Sequence, residues 1–247
     1  MATNTKNGFT IIETMLFLGV AGALTIAVLA GSGIAINQQR YRDSVSSLKS
    51  FIQQQYSEVT NVRNDRSGAE ACANATVVRP PATVTPQDRG TSDCMLLGRF
   101  ITVDTAGEKL TASDVVGYRT SDAPTEASDI AEIQTNYELG LSTINQETAE
   151  VAWGANIVQS GTTEPMPFSM LILRSPLSGS VMAYAAEGVT ADLMSLVTIA
   201  NSNQTHNLCV NATAGSFVGN RMAVQISPFA TNQGAIQIPP EDTNVCA

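Results

Sequence analysis

The sequence predicts an α+β protein, with a long N-terminal α-helix whose first half is membrane-spanning, packed on a mainly antiparallel β head. Three observations predict it. An uncharged run extends from Thr14 to about Gln39. It passes without a proline into an amphipathic stretch that ends near Asn64. Beyond that, short Val-, Ile- and Leu-rich segments alternate with turn residues to the C-terminus.

At 1.5 Å per residue the run from Thr14, about 25 residues long, spans the roughly 30 Å of a bilayer's hydrocarbon layer. It is too long for a secretory signal core, and no A-x-A site closes it. Gly19, Ala23, Ala27, Gly31 and Ala35 recur four apart, a small-residue stripe that lets helix backbones approach closely. Leu16, Leu18, Val20, Leu24, Ile26, Val28 and Leu29 supply the bulkier surface. Local weakness is expected at Gly31-Ser32-Gly33, because each interior glycine costs about 1 kcal/mol relative to alanine.

From Asn37 the chain turns polar without breaking, and Val45, Leu48, Ile52, Tyr56, Val59 and Val62 repeat at threes and fours. One helix is therefore expected from Phe9 to about Arg63, roughly 80 Å long, with one apolar stripe reserved for a head domain.

Glu13 is the anomaly. A carboxylate at the head of an apolar segment costs about 2.5–3.5 kcal/mol on insertion scales, so it needs a partner or a task. The stretch Gly8-Phe9-Thr10-Ile11-Ile12-Glu13, coinciding with the start of the run, resembles the processing site of type IV prepilins and the related pseudopilins. The resemblance covers Met1 to about Asn64. It implies a leader over 1–8, cleavage after Gly8 by a prepilin peptidase, and Phe9 as an N-methylated new terminus. A helix over 9–64 follows, membrane-spanning over about 9–37, then an extracellular head over 65–247.

It further implies assembly through Phe9 and Glu13 with other pilin subunits, by machinery of the inner membrane. The chain would sit in the cytoplasmic membrane with its N-terminus inside before assembly, and in an extracellular filament that supports adhesion or motility afterwards. The alternative within the family is a minor pilin or pseudopilin, acting as a tip or binding module, in type II-like secretion or in DNA uptake. Two features depart from the pattern. Ala30 stands where many major pilins carry proline, and the cations flank the run in the unfavourable sense, with Lys6 before it and Arg40, Arg42 and Lys49 after.

About 183 residues remain for the head, enough for a core. Strands are expected at Met95–Val103, Val115–Arg119, Phe168–Arg174, Ser180–Ala185, Leu208–Val210 and Arg221–Ser227, with Phe168–Tyr184 as a hairpin. Helices are expected at Ala127–Leu139 and Val189–Ala200. Pro80, Pro81 and Pro86 mark a loop. The cysteines, Cys72, Cys94, Cys209 and Cys246, all follow the apolar run, and their even number points to two disulfides. Three connectivities are open. Sequence proximity favours Cys72 with Cys94 and Cys209 with Cys246, each loop contributing about 3–4 kcal/mol in the chain-entropy model.

Thirteen Lys and Arg against 22 Asp and Glu give a formal charge of −9, with the arginines scattered singly, so nucleic acid is not an expected partner. His206 is the only histidine, set in a polar turn, which leaves no His-based zinc site or hydrolase triad. No phosphate loop or dinucleotide fingerprint occurs, and neither an enzyme nor a cofactor is expected. Asp104 with Glu108, and Glu241 with Asp242, are calcium candidates without EF-hand spacing; the alternative is solvated acidic loops. Trp153 and neighbouring Val151 are expected to anchor a core, the alternative being a ligand face. Asn74, Asn203 and Asn211 head chance Asn-x-Ser/Thr triplets, and Arg221 is too solitary for a nucleic-acid patch.

Overall fold

The computed structural model describes residues 10–61, 71–73, 76–78, 94–121, 125–142, 145–212 and 220–247. The expectations for Gly8, Phe9, Val62, Asn74 and the proline-rich stretch fall outside the described residues, as do the side chains of Cys72 and Glu241.

Helix α1, Ile11–Thr60, runs unbroken for 50 residues, about 75 Å. The expected weakness at Gly31-Ser32-Gly33 leaves the helical backbone uninterrupted, with the Ser32 hydroxyl donating to the Leu29 carbonyl at 3.0 Å. Two short strands, β1 Ala71–Ala73 and β2 Thr76–Val78, pair antiparallel. There follow β3 Cys94–Val103, β4 Lys109–Arg119, α2 Asp129–Asn136, β5 Tyr137–Leu141, β6 Glu147–Glu150 and β7 Asn156–Val158. The chain ends with β8 Phe168–Arg174, β9 Val181–Glu187, α3 Leu193–Leu196, α4 Ile199–Ser202, β10 His206–Asn211, β11 Ala223–Ile226 and β12 Ile236–Gln237.

A six-stranded antiparallel sheet has the order β5-β4-β3-β8-β9, with β6 pairing the first part of β4. A second sheet has the order β12-β11-β10-β7. Strand alternation sorts the side chains of the larger sheet into two cores. Ile101, Val103, Leu110, Ala112, Met170 and Ile172 face α1, while Phe100, Val115, Leu171 and Leu173 pack against Ile133, Leu193 and Leu196 on the opposite side. The smaller sheet adds Ile157, Leu208, Val210, Val224 and Ile226 to the α1 core.

The C-terminal half of α1 is thus covered by both sheets. Its stripe is Tyr41, Val45, Leu48, Phe51, Ile52, Tyr56 and Val59, all buried. Each such side chain contributes about 1.5–3 kcal/mol on burial, so this half is bound to the head by core packing. Close approach of β3 to β8 requires Gly98. The β3–β4 register shifts between Leu96 and Gly98, and a Cβ at Gly98 would lie 1.9 Å from the Ile172 carbonyl oxygen.

The β8–β9 hairpin pairs Phe168 with Glu187 through Arg174 with Val181. Its turn is gripped by Asp129 at the start of α2, whose carboxylate accepts from the hydroxyls of Ser175 and Ser178, each at 2.7 Å, and Ser180 at 3.0 Å. Burial works against the charged form of Asp129, but the three hydroxyls and the Ser178 backbone outweigh it and hold the carboxyl below the usual aspartate range.

Three expectations need correction. The helix placed at Ala127–Leu139 stops at Asn136, because Tyr137–Leu141 pairs with Val115–Arg119 and ladder bonding overrides local propensity. The helix at Val189–Ala200 is two single turns, each with its own cap, Asp192 for α3 and Thr198 for α4. The strand expected from Val115 begins at Lys109, and β6, β7 and β12 were not foreseen.

A disulfide joins Cys209 of β10 to Cys246, with Cα atoms 5.7 Å apart. Cys94 is also disulfide-bonded.

Candidate functional site

Among the described residues, nothing covers the N-terminal half of α1. Ile11, Ile12, Met15, Leu16, Phe17, Leu18, Val20, Leu24, Ile26, Val28, Leu29, Ile34 and Ile36 are between 49% and 78% exposed. A Cβ added at Gly19, Gly22, Gly31 or Gly33 would meet nothing within 4 Å. With Ala23, Ala27 and Ala35 also exposed, the small-residue stripe faces no element among the described residues. Among the described residues, this is the one helix long and apolar enough to cross a membrane. Apolar surface on this scale does not persist in water, so lipid or other protein chains are its natural surroundings.

Glu13 has a local partner that the sequence reading missed. Thr10 is the N-cap of α1 and Glu13 the third helical residue, and together they form a reciprocal capping box. The Glu13 amide donates to the Thr10 hydroxyl oxygen at 3.3 Å. The Glu13 carboxylate accepts from the Thr10 amide at 3.0 Å and from its hydroxyl at 3.1 Å. The signal was present in the sequence as Thr-x-x-Glu before an apolar run.

Two polar clamps fix α1 in the head. The Tyr41 hydroxyl donates to the Val210 carbonyl at 2.8 Å and accepts from the Met222 amide at 2.6 Å, tying the helix to β10 and to the residue leading into β11. Farther along, Arg99 of β3 is 4% exposed and reaches into α1. Its Nε donates to Gln55 Oε1 at 2.7 Å and its Nη1 to Asp114 Oδ1 at 2.7 Å. Its Nη2 pairs with Glu58 at 3.2 Å and with Glu147 at 3.4 Å. Asn145, at φ 60°, presents its carbonyl to Arg99 and its amide to Asp114.

Arg99, Glu58, Asp114, Asn145 and Glu147 line a cleft of about 570 Å³ between α1 and the larger sheet. Its chemistry is that of a structural clamp, since each carboxylate is engaged by the guanidinium. The sequence carried no signal for it, because the partners come from four separate elements.

The remaining candidates are dispersed. Asp104 Oδ1 accepts from the amides of Glu108 and Lys109 at 2.9 and 3.2 Å and so closes the β3–β4 turn. Asp242 lies in an exposed turn near the C-terminus. Among the described residues no group of three or more His, Cys, Asp or Glu is gathered for a metal ion. His206 opens β10 rather than sitting in a polar turn, because it pairs with Ile226. There it lies edge-on to Phe168, and burial pushes its pKa down against the opposing pull of the Glu187 charge. Arg221 donates to the Thr162 carbonyl, Asn203 ends α4, and Asn211 donates to the Asn156 side chain at 3.3 Å.

Trp153 is not a core residue. Val151 is buried, but the backbone at 153 turns into the left-handed region, with φ 62°, and leaves the indole 59% exposed under the Arg40 guanidinium, 4.9 Å from the ring centroid.

Comparison of the chain with family models, with curated proteins and with solved structures finds no match.

Proposed function

We propose that the chain is a structural subunit of a type IV pilus or a related filament. The observation that carries this reading is the division of α1 into an uncovered apolar half, headed by Phe9-Thr10-Ile11-Ile12-Glu13, and a half buried in the head. In this reading a prepilin peptidase cleaves after Gly8 and the uncovered half holds the subunit in the cytoplasmic membrane. It then packs against its counterparts in neighbouring subunits through the small-residue stripe. Glu13 meets the cationic amine of Phe9, in its own or an adjacent subunit, as the helix leaves the bilayer. Pairing in an apolar surrounding selects axial register because an unpaired charge there costs several kcal/mol.

The capping box makes the test sharper. Glu13→Ala removes both the cap and the assembly charge, whereas Thr10→Ala removes the cap and keeps the charge. Both variants are expected to insert into the membrane. Filaments, scored by shearing and electron microscopy, are expected to be lost in the Glu13 variant and retained in the Thr10 variant. Abundant normal filaments in the Glu13 variant would overturn the mechanism, and equal loss in both would reduce Glu13 to a helix cap.

A further inference from the structure

Trp153 is the only tryptophan of the chain, and Arg40 is the first charged side chain after Glu13. They meet where α1 enters the head. The flanking Val151 and Ala155 are buried, so the turn carrying Trp153 is anchored in the core while its indole is turned outward beside the helix. A bulky residue at positive φ is held against its own preference, and within the head that conformation exposes an apolar ring.

The level at which this happens is set by the helix. Ile36 is the last exposed large apolar residue before the head, and Arg40 follows one turn later, about 6 Å along the axis. When Thr14–Ile36, about 34 Å long, fills the hydrocarbon, Arg40 and Trp153 fall in the headgroup layer, which is about 5–7 Å deep on each side. That layer favours an amphipathic ring with a polar edge, and a guanidinium suits its phosphates. Asp43 and Glu150 line a groove that begins about one turn farther along α1.

We propose that Arg40 and Trp153 form a collar that binds the phospholipid headgroups of the membrane crossed by α1 and seats the head on its surface. The collar rests on the membrane-spanning reading of α1, and the test separates the two.

The full chain is reconstituted into vesicles of phosphatidylcholine and phosphatidylglycerol carrying a nitroxide at the headgroup or deep in the acyl chain. Insertion is read by flotation after carbonate extraction. Trp153 fluorescence is expected to shift to the blue, to be quenched by the headgroup nitroxide but not the deep one, and to lose its sensitivity to iodide. Arg40→Gln is expected to remove the dependence of this quenching on phosphatidylglycerol. A chain that floats while its indole responds to iodide and not to labelled lipid would overturn the collar and leave the membrane reading standing. An indole shielded from both quenchers, more so at high protein-to-lipid ratio, would show a second copy on this surface and overturn the collar too. A chain that does not float would overturn both.

Discussion

Replacing Arg99 by methionine preserves most of the aliphatic stem and deletes the charge at the centre of the α1 clamp. The three carboxylates around it are unequal. The Asp114 side chain is 12% exposed, whereas those of Glu58 and Glu147 are 40% and 37% exposed. Solvent screens the latter two, which contribute about 0–1 kcal/mol each, so the Asp114 pair dominates. Without the guanidinium, Gln55 Oε1 loses its donor in a fully buried position, and Asp114 retains the Asn145 amide at 3.2 Å. Removing one side of a buried ion pair costs about 3–5 kcal/mol, and the surviving amide bond places this case near 3. The assay is urea unfolding of the full chain in mild detergent, followed by far-ultraviolet circular dichroism. Asp114→Asn and the double variant close a cycle, with an expected coupling of about 2 kcal/mol. A loss below about 1 kcal/mol together with no coupling would refute the reasoning, and would mean that water in the cleft replaces the guanidinium without penalty.

Gly98→Ala forces a methyl group to within 1.9 Å of the Ile172 carbonyl oxygen and 3.0 Å of the Leu173 Cα, both backbone atoms. A loss of about 3 kcal/mol or more is expected in the same unfolding assay, and an unchanged midpoint would show that β3 slides freely past β8. The Asp129 grip on the β8–β9 turn predicts a pH dependence. Because its folded pKa lies below the ordinary value, its ionic contribution is complete above about pH 4 and disappears as pH falls through the lower folded value. The stability difference between wild type and Asp129→Ala is therefore expected to be constant near neutrality and to narrow in acid. A difference unchanged down to about pH 2 would remove the serine hydroxyls as its cause.

What could be read from the sequence was periodic. The buried stripe of α1 stands at threes and fours, and Phe168–Arg174 carries the apolar run Met170-Leu171-Ile172-Leu173, which the structure places inside a sheet covered on both faces. Short or polar strands escaped. Glu147–Glu150 reads as Glu-Thr-Ala-Glu, and only its ladder to Lys109–Ala112 makes it a strand. Tyr137–Leu139 reads as the end of a helix because its strand character depends on β4, a partner some twenty residues away in sequence. At the site, Glu13 stands out in the sequence as an anomaly of charge, and its cap is written in the Thr-x-x-Glu spacing that begins at Thr10. Trp153 was misplaced because hydrophobicity alone cannot foretell a left-handed backbone that turns a large ring outward.

Tyr41 also bears on mechanics. Tension drawn along α1 reaches the buried core of the head at this residue, whose hydroxyl is held between the Val210 carbonyl and the Met222 amide. The neighbouring Cys209 is bonded to Cys246, so the strand that receives the load is riveted covalently to the end of the chain. β10 also lies between β11 and β7, so displacing it breaks two ladders at once. A pull on α1 through Tyr41 is thus resisted by two strand ladders and one covalent bond together.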